Sequence, residues 1–302
     1  MILVAGATGV LGRAISTRLL ASARPVRVLT RDPARARSLE SAGAQVAAGD
    51  LRDRDAVRRA CQGATHVVTT ANAFTGRGAE SIAAVDLQGT QHLVEAAREQ
   101  GVRQFVFTSA LLPREYDAID YFAAKHLNED RLRHGDVPFT ILKPTAFMET
   151  WVQMFFDGIV QKGVAQVFGS GTLPVNFVAV DDVAAVAAMV IDRSDALNAE
   201  IEIGGPENLN ALQVVEIIER VTGRRAKRKH LPLALLRVMP PFVRPFNPVL
   251  ARAVKAGALM ASIPQPFDPA PMLARFPITP TRLEDWVRAR WAQARASQQA
   301  RG

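Results

Sequence analysis

Ile2-Leu3-Val4-Ala5-Gly6-Ala7-Thr8-Gly9-Val10-Leu11-Gly12-Arg13 opens the chain as an apolar run that ends in a glycine turn. It passes directly into Ala14-Ile15-Ser16-Thr17-Arg18-Leu19-Leu20, whose apolar residues have helical spacing, so the segment reads as strand, tight turn, helix. Gly6 permits a turn conformation closed to other residues, Gly9 lets backbone approach a ligand with no Cβ in the way, and Gly12 lets helix and strand pack closely. The N–H groups at the start of such a helix face a diphosphate. The spacing is GxxGxxG rather than GxGxxG, so its weight comes from context: it begins at residue 6, follows a strand and opens a helix. A merely tight β–α turn is the plain alternative.

With 302 residues, 48% of them hydrophobic, the chain can bury a full core as one large α/β domain, alone or with a smaller appendage. Cys61 is the single cysteine, which excludes an internal disulfide and suits a reducing compartment and a small buried side chain. The first strand begins at residue 2, leaving no room for a signal peptide, and no uncharged apolar run approaches the roughly 20 residues of a membrane span. A soluble, cytoplasmic protein is expected. The net charge of +8 is uneven: residues 224–302 hold 15 Lys or Arg against three acids, whereas residues 1–223 are net negative.

Strand-like segments recur at Val26–Leu29, Ala44–Ala48, His66–Thr70, Gln104–Thr108 and Pro138–Leu142, separated by segments of helical pattern. That alternation predicts a doubly wound parallel sheet in the order 3-2-1-4-5-6. Asp32-Pro33 marks a capped helix start, Gly101 the end of a helix running from about Ala79 to Gln100, and Asp182 a cap for a helix over Val183–Ile191. Beyond Leu142 the alternation loosens. Phe147–Phe156 and Leu212–Val221 read as helices, Ala165–Phe168, Asn176–Val180 and Glu200–Ile203 as strands, and Leu283–Ala296 as a closing helix. The division expected is residues 1–145, with added strands from 175–205, and residues 146–302 as a substrate lobe with a basic, proline-rich tail.

Read together, Gly6-Ala7-Thr8-Gly9-Val10-Leu11-Gly12, Gly49-Asp50-Leu51, Gly101-Val102-Arg103-Gln104-Phe105-Val106-Phe107-Thr108-Ser109, Tyr121-Phe122-Ala123-Ala124-Lys125, Leu142-Lys143-Pro144 and Val180-Asp181-Asp182-Val183-Ala184 form an ordered set. The set resembles the extended and atypical short-chain dehydrogenase/reductases, especially the NmrA-like NAD(P)-binding branch. The resemblance covers residues 1–205 and implies a Rossmann sheet. By that pattern Asp50 and Leu51 border an adenine, Thr70, Ala71 and Asn72 line the path after the fourth strand, and Thr108 and Ser109 close the fifth. By the same pattern Pro144 and Phe147 contact the cofactor, and with Trp151 they stand where the family builds one wall of its substrate pocket.

An NAD-selecting site carries an acid at the end of the second strand, whereas an NADP site places arginine there. Here Thr30 occupies that position, and Arg31 with Arg13 could clamp a 2′-phosphate; NADP(H) is preferred, with NAD(H) as the alternative through Asp32. Ordinary solvated arginines are the plain reading of the pair.

Tyr121 and Lys125 are four apart and share a helical face, with Ser109 twelve positions upstream, matching the Ser, Tyr-x-x-x-Lys constellation. A free phenol, with a pKa of about 10, needs a neighbouring ammonium to lower that value. By resemblance Tyr121 protonates a carbonyl oxygen, Lys125 holds the nicotinamide ribose and tunes Tyr121, and Ser109 polarises the carbonyl. The competing readings are a chance Tyr-x-x-x-Lys and a surface pair between Lys125 and Glu129. Scattered histidines and one cysteine point away from a metal centre.

Phe147, Trp151 and Phe155 make an aromatic stripe that is either core or the wall of a pocket for an apolar substrate. The basic, apolar, proline-broken stretch within 224–302 suits an anionic membrane surface, a protein partner, a lipid-like substrate or simple packing with solvated charges; no nucleic-acid motif accompanies it. The function expected is an NADPH-preferring reductase of a small apolar carbonyl, enone or quinone-like compound. A non-catalytic NADP(H)-sensing or assembly protein is the alternative, and a sugar-nucleotide epimerase comes third.

Overall fold

The first four-residue run forms strand β1 (Ile2–Ala5), buried throughout, and its glycine turn leads into helix α1 (Val10–Ala21). The protein is described by a computed structural model over residues 1–299. After α1 come β2 (Val26–Thr30), α2 (Arg37–Ser41), β3 (Gln45–Ala48), α3 (Arg54–Cys61), β4 (His66–Thr69), α4 (Thr90–Glu99), β5 (Gln104–Thr108), α5 (Asp120–Arg133) and β6 (Phe139–Pro144). The chain then leaves this sheet for β7 (Ala146–Phe147), α6 (Gln153–Lys162), β8 (Val164–Phe168) and β9 (Val175–Val178). It passes through α7 (Val180–Met189) and rejoins the sheet as β10 (Ala199–Ile203). The remainder is β11 (Asn208–Leu209), α8 (Ala211–Thr222), β12 (Lys227–Leu231), α9 (Leu233–Val243), α10 (Pro248–Met260), α11 (Ala270–Arg275) and α12 (Leu283–Gln299).

Seven strands pair in the order β10-β6-β5-β4-β1-β2-β3, all parallel. This is the doubly wound order expected, extended by one strand beyond β6. Helices cover such a sheet, which explains why β1, β4 and β5 are buried along their whole length. Cys61 is buried and free, and burial pushes its thiol up to about 12.

Two units emerge, Met1–Pro144 with Val183–Ile203, and Thr145–Asp182 with Gly204–Gly302. Of the strands read within 175–205, only β10 joins the large sheet; β9 belongs to a separate three-stranded sheet, β11-β9-β7. In the second unit Phe155, Phe156, Ile159, Phe177, Val214, Ile218 and Val287 form a core, which Trp151 packs against.

Local differences from the sequence reading have physical causes. The helix expected over Ala79–Gln100 is interrupted: a tight turn at Gly78–Glu80 precedes a π-helical stretch, Ala83–Gly89, and only then α4. Within the widened stretch the Asp86 carbonyl accepts from Asn128 Nδ2 at 2.7 Å, a bond that reaches across to α5. A second π-helical stretch, Met148–Val152, precedes α6 where one amphipathic helix was expected. Asp182 lies inside the first turn of α7 and accepts from Thr281 N at 2.8 Å, so it holds a loop of the second unit and does not cap the helix. The basic run Arg224–Lys229 and the region after it are no loose tail. Lys227–Leu231 is β12, paired in parallel with β8, and α9 runs through Pro240 and Pro241.

Gly6 adopts φ +83°, and a Cβ on Gly12 would stand 2.3 Å from the Gly6 carbonyl oxygen. The helix therefore rests directly on the turn. Gly12→Ala is expected to lower the unfolding free energy by about 1–3 kcal/mol in urea titration, because backbone must move to admit the methyl group. Gly9→Ala, whose Cβ would lie 3.3 Å from that same oxygen, costs less.

Candidate functional site

Because β1, β2, β4 and β5 run in parallel register, their C-terminal ends gather at one edge of the large sheet. The glycine turn sits there against the end of β4: a Cβ on Gly6 would meet Ala71 N and Thr70 Oγ1, each at 2.7 Å. Gly9 precedes α1 with extended backbone, and no side chain caps the helix among the described residues. Its first N–H groups are left to face the edge. Thr8 and Leu11 are half-buried on this turn, and Val10 is 67% exposed. Asn72 is exposed beyond Thr70 and Ala71.

Arginines crowd the end of β2. Arg13 donates to Ser38 Oγ at 2.7 Å and to the Arg35 carbonyl at 3.1 Å, while Arg35 reaches the Thr8 carbonyl at 3.5 Å. Arg31 is ion-paired with Glu80. Asp32, the acid that would have signalled NAD, is committed elsewhere: its carboxylate accepts from Ala34 N at 3.0 Å and caps the turn Pro33–Ala36. Asp50 is held by Arg52 at 2.6 Å, which keeps its carboxyl below the usual carboxylate range. Arg52 also donates to the Ala79 carbonyl at 2.8 Å, and the Leu51 carbonyl contacts His92 Nδ1 at 2.8 Å.

At the end of β5 lies a buried polar cluster. Lys125, only 4% exposed, donates from Nζ to the Thr108 carbonyl at 2.8 Å and lies 4.9 Å from the Phe107 ring centroid and 5.5 Å from that of Tyr121. Burial lowers its pKa, opposed by the negative charges of Asp86 and Glu129. Asp86 Oδ2 accepts from Ala73 N at 2.9 Å. Glu129 accepts from Ser109 Oγ, from Arg133 at 2.9 Å and from Lys143 at 3.3 Å. Lys125 and Glu129 are thus not the surface pair that their spacing allowed. Thr108 Oγ1 is buried with no hydrogen-bond partner among the described residues.

Two electrostatic expectations change. Burial, and after it the charge of Asp86, raise the pKa of Tyr121, whereas an acidifying influence of Lys125 had been expected. Ser109 spends its one proton on Glu129, so in this structure it is not a free donor. Tyr121 packs edge-on to Phe74 and Phe122. Pro144 ends β6, while Phe147 and Trp151 belong to the second unit, where Trp151 and Phe155 line a small apolar cavity of about 40 Å³ with Met154, Phe168 and Phe177. Arg35, Arg52, Glu80 and Asp86 were not singled out from sequence; the signal for Asp86 was an acid inside the apolar run Ile82–Leu87.

Residues 1–260 match the NmrA-like family. The chain belongs to that family. Among relatives of this NmrA-like protein, a (4-alkanoyl-5-oxo-2,5-dihydrofuran-3-yl)methyl phosphate reductase of Streptomyces griseus is 33% identical, covering 87% of this chain and 90% of its own. Photosystem II assembly factor Ycf39 of Synechocystis is 27% identical over 82% of this chain and 75% of its own. The fold is shared with an NADPH-dependent quinone oxidoreductase of Escherichia coli solved with NADPH, with a TM-score of 0.76 at 21% identity, covering 95% of this chain and 98% of that one.

Glu129 is the keystone of the polar cluster, being 1% exposed with three donors around it. Glu129→Ala leaves Ser109 without its acceptor and takes one of the carboxylates from Arg133 and Lys143, which both keep Glu200, and is expected to cost about 1–3 kcal/mol of stability in urea titration; an unchanged unfolding midpoint would contradict that role.

Proposed function

We propose that this NmrA-like protein is an NADPH-dependent reductase of a small, apolar carbonyl, enone or quinone-like substrate. The observation that carries the reading is Lys125, a buried ammonium at the same sheet edge as the uncapped glycine turn. Burying an ammonium costs several kcal/mol, and perturbed groups of this kind concentrate where chemistry occurs.

The residues present suit a dinucleotide. Gly6, Gly9 and Gly12 leave room for backbone N–H groups to meet a diphosphate, Thr108 Oγ1 awaits a partner, and Lys125 would hold the nicotinamide ribose. Arg13 and Arg31, with Arg35 beside them, would take the 2′-phosphate once Arg31 leaves Glu80. Asp50, Leu51, Thr70, Ala71 and Asn72 would border the path between the two ends. When bound, the reduced nicotinamide supplies a hydride. Tyr121, kept protonated by its raised pKa, holds the proton that a substrate oxygen needs. Ser109, turned toward Glu129, serves that oxygen only after releasing this bond. A second reading, a nucleotide-sensing or assembly protein, is favoured by the same Ser109–Glu129 bond and by the likeness to Ycf39.

Incubation with NADPH and a panel of carbonyls, enones and quinones, followed at the reduced-nicotinamide absorbance, separates the two: binding without turnover across the panel supports the sensor. In the reductase, Tyr121→Phe is expected to lower kcat by about 100-fold while NADPH affinity holds. If Lys125 acts as its ammonium, the alkaline limb of kcat/KM falls below 10.5, the ordinary lysine value, because burial lowers its pKa. Titration calorimetry should show Arg31→Asp weakening NADPH about 10-fold relative to NADH and Glu80→Gln strengthening NADPH, since the carboxylate competes for the same guanidinium.

A further inference from the structure

The face that α9 and the start of α10 turn to solvent is as apolar as the face they turn inward. Leu236 of α9 is buried with Val254 and Ala258 of α10 in a small core of the second unit. Yet of the nine large apolar side chains exposed among the described residues, five fall in this one stretch: Leu235, Val238, Phe242, Phe246 and Leu250. Phe242 is 71% and Phe246 85% exposed, values that no water-facing need explains. Leu235, Val238 and Phe242 stand at i, i+3 and i+7, within roughly 60° of the helix circumference. A helix with apolar residues on both faces is short of a partner on one of them.

Charge selects that partner. Residues 220–267 contain ten Lys or Arg and no Asp or Glu; Arg220, Arg225 and Arg228 pair with glutamates outside it, while Arg237 and Arg244, both exposed, lie on the same stretch as the apolar stripe. A second copy of the chain would oppose this positive field with its own. The stripe has no hydrogen-bonding side chains with which to read a protein surface, but bulky exposed apolar groups and exposed guanidinium groups on one basic stretch match the acyl and headgroup layers of an acidic bilayer. We infer that α9, the turn after it and the start of α10 dock the protein on an anionic lipid surface. Phe242 and Phe246 enter the acyl boundary, and Arg237 and Arg244 meet the headgroups. The attachment lies on the bilayer without crossing it, for no helix among the described residues is long and apolar enough to span.

Co-sedimentation of the full chain with vesicles of phosphatidylcholine, alone or mixed with phosphatidylglycerol, tests this. Binding at least about 10-fold stronger on the acidic vesicles, and weakened by salt, is expected. Phe242→Asp with Phe246→Asp should lower it about 10-fold or more, and Arg237→Gln with Arg244→Gln several-fold. Both side-chain pairs are exposed, so an unchanged thermal midpoint verifies that the variants are folded. Equal pelleting on both vesicles, no pelleting, or wild-type binding by the Phe242 and Phe246 variant overturns the inference. A dimer in sedimentation equilibrium that this variant dissociates assigns the face to a second copy and overturns it too.

Discussion

The absence of a side chain between α1 and the Gly6 carbonyl governs the first unit. A Cβ at Gly12 would meet that oxygen at 2.3 Å, so the helix can settle on the turn only because residue 12 is glycine. That seating aims the uncapped start of α1 at the edge where β1, β2 and β4 end in register. Arg13, one residue further on, is thereby carried to the turn after β2, where Ser38 and the Arg35 carbonyl receive it.

The second constraint is the expense of buried charge. Lys125 and Glu129 are both nearly inaccessible, and each is stabilised by different partners: the ammonium by the Thr108 carbonyl, the carboxylate by Ser109, Arg133 and Lys143. Glu200 on β10 extends the network, taking Arg133 at 2.5 Å and Lys143 at 3.2 Å. The strand added beyond β6 therefore has an electrostatic part in holding the end of β5. A network of this kind orients its members, and it leaves Ser109 facing a carboxylate.

Much of the large sheet was legible because parallel strands buried on both faces read as apolar runs, and the helical segments between them set the order. The second unit was harder to read. β12 is Lys-Arg-Lys-His-Leu, without the apolar alternation that marks a strand, and its exposed position beside β8 is where charged residues suit a sheet edge. The two π-helical stretches were invisible as well, since an inserted residue leaves no composition signal; in Ala83–Gly89 the Asp86 carbonyl is the one that the Asn128 amide reaches.

The linear order of residues determined the strand–turn–helix opening, the parallel sheet, the glycine contacts and the placing of Tyr121 and Lys125 four apart on one helix. These follow from local conformational preference and from the periodicity of burial. Tertiary structure alone decided what each charged group faces. Asp32 became a cap, Arg31 met Glu80 across 49 positions at the surface and Ser109 met Glu129 across 20 in the interior, since pairing depends on distance in space and, for the buried pair, on desolvation.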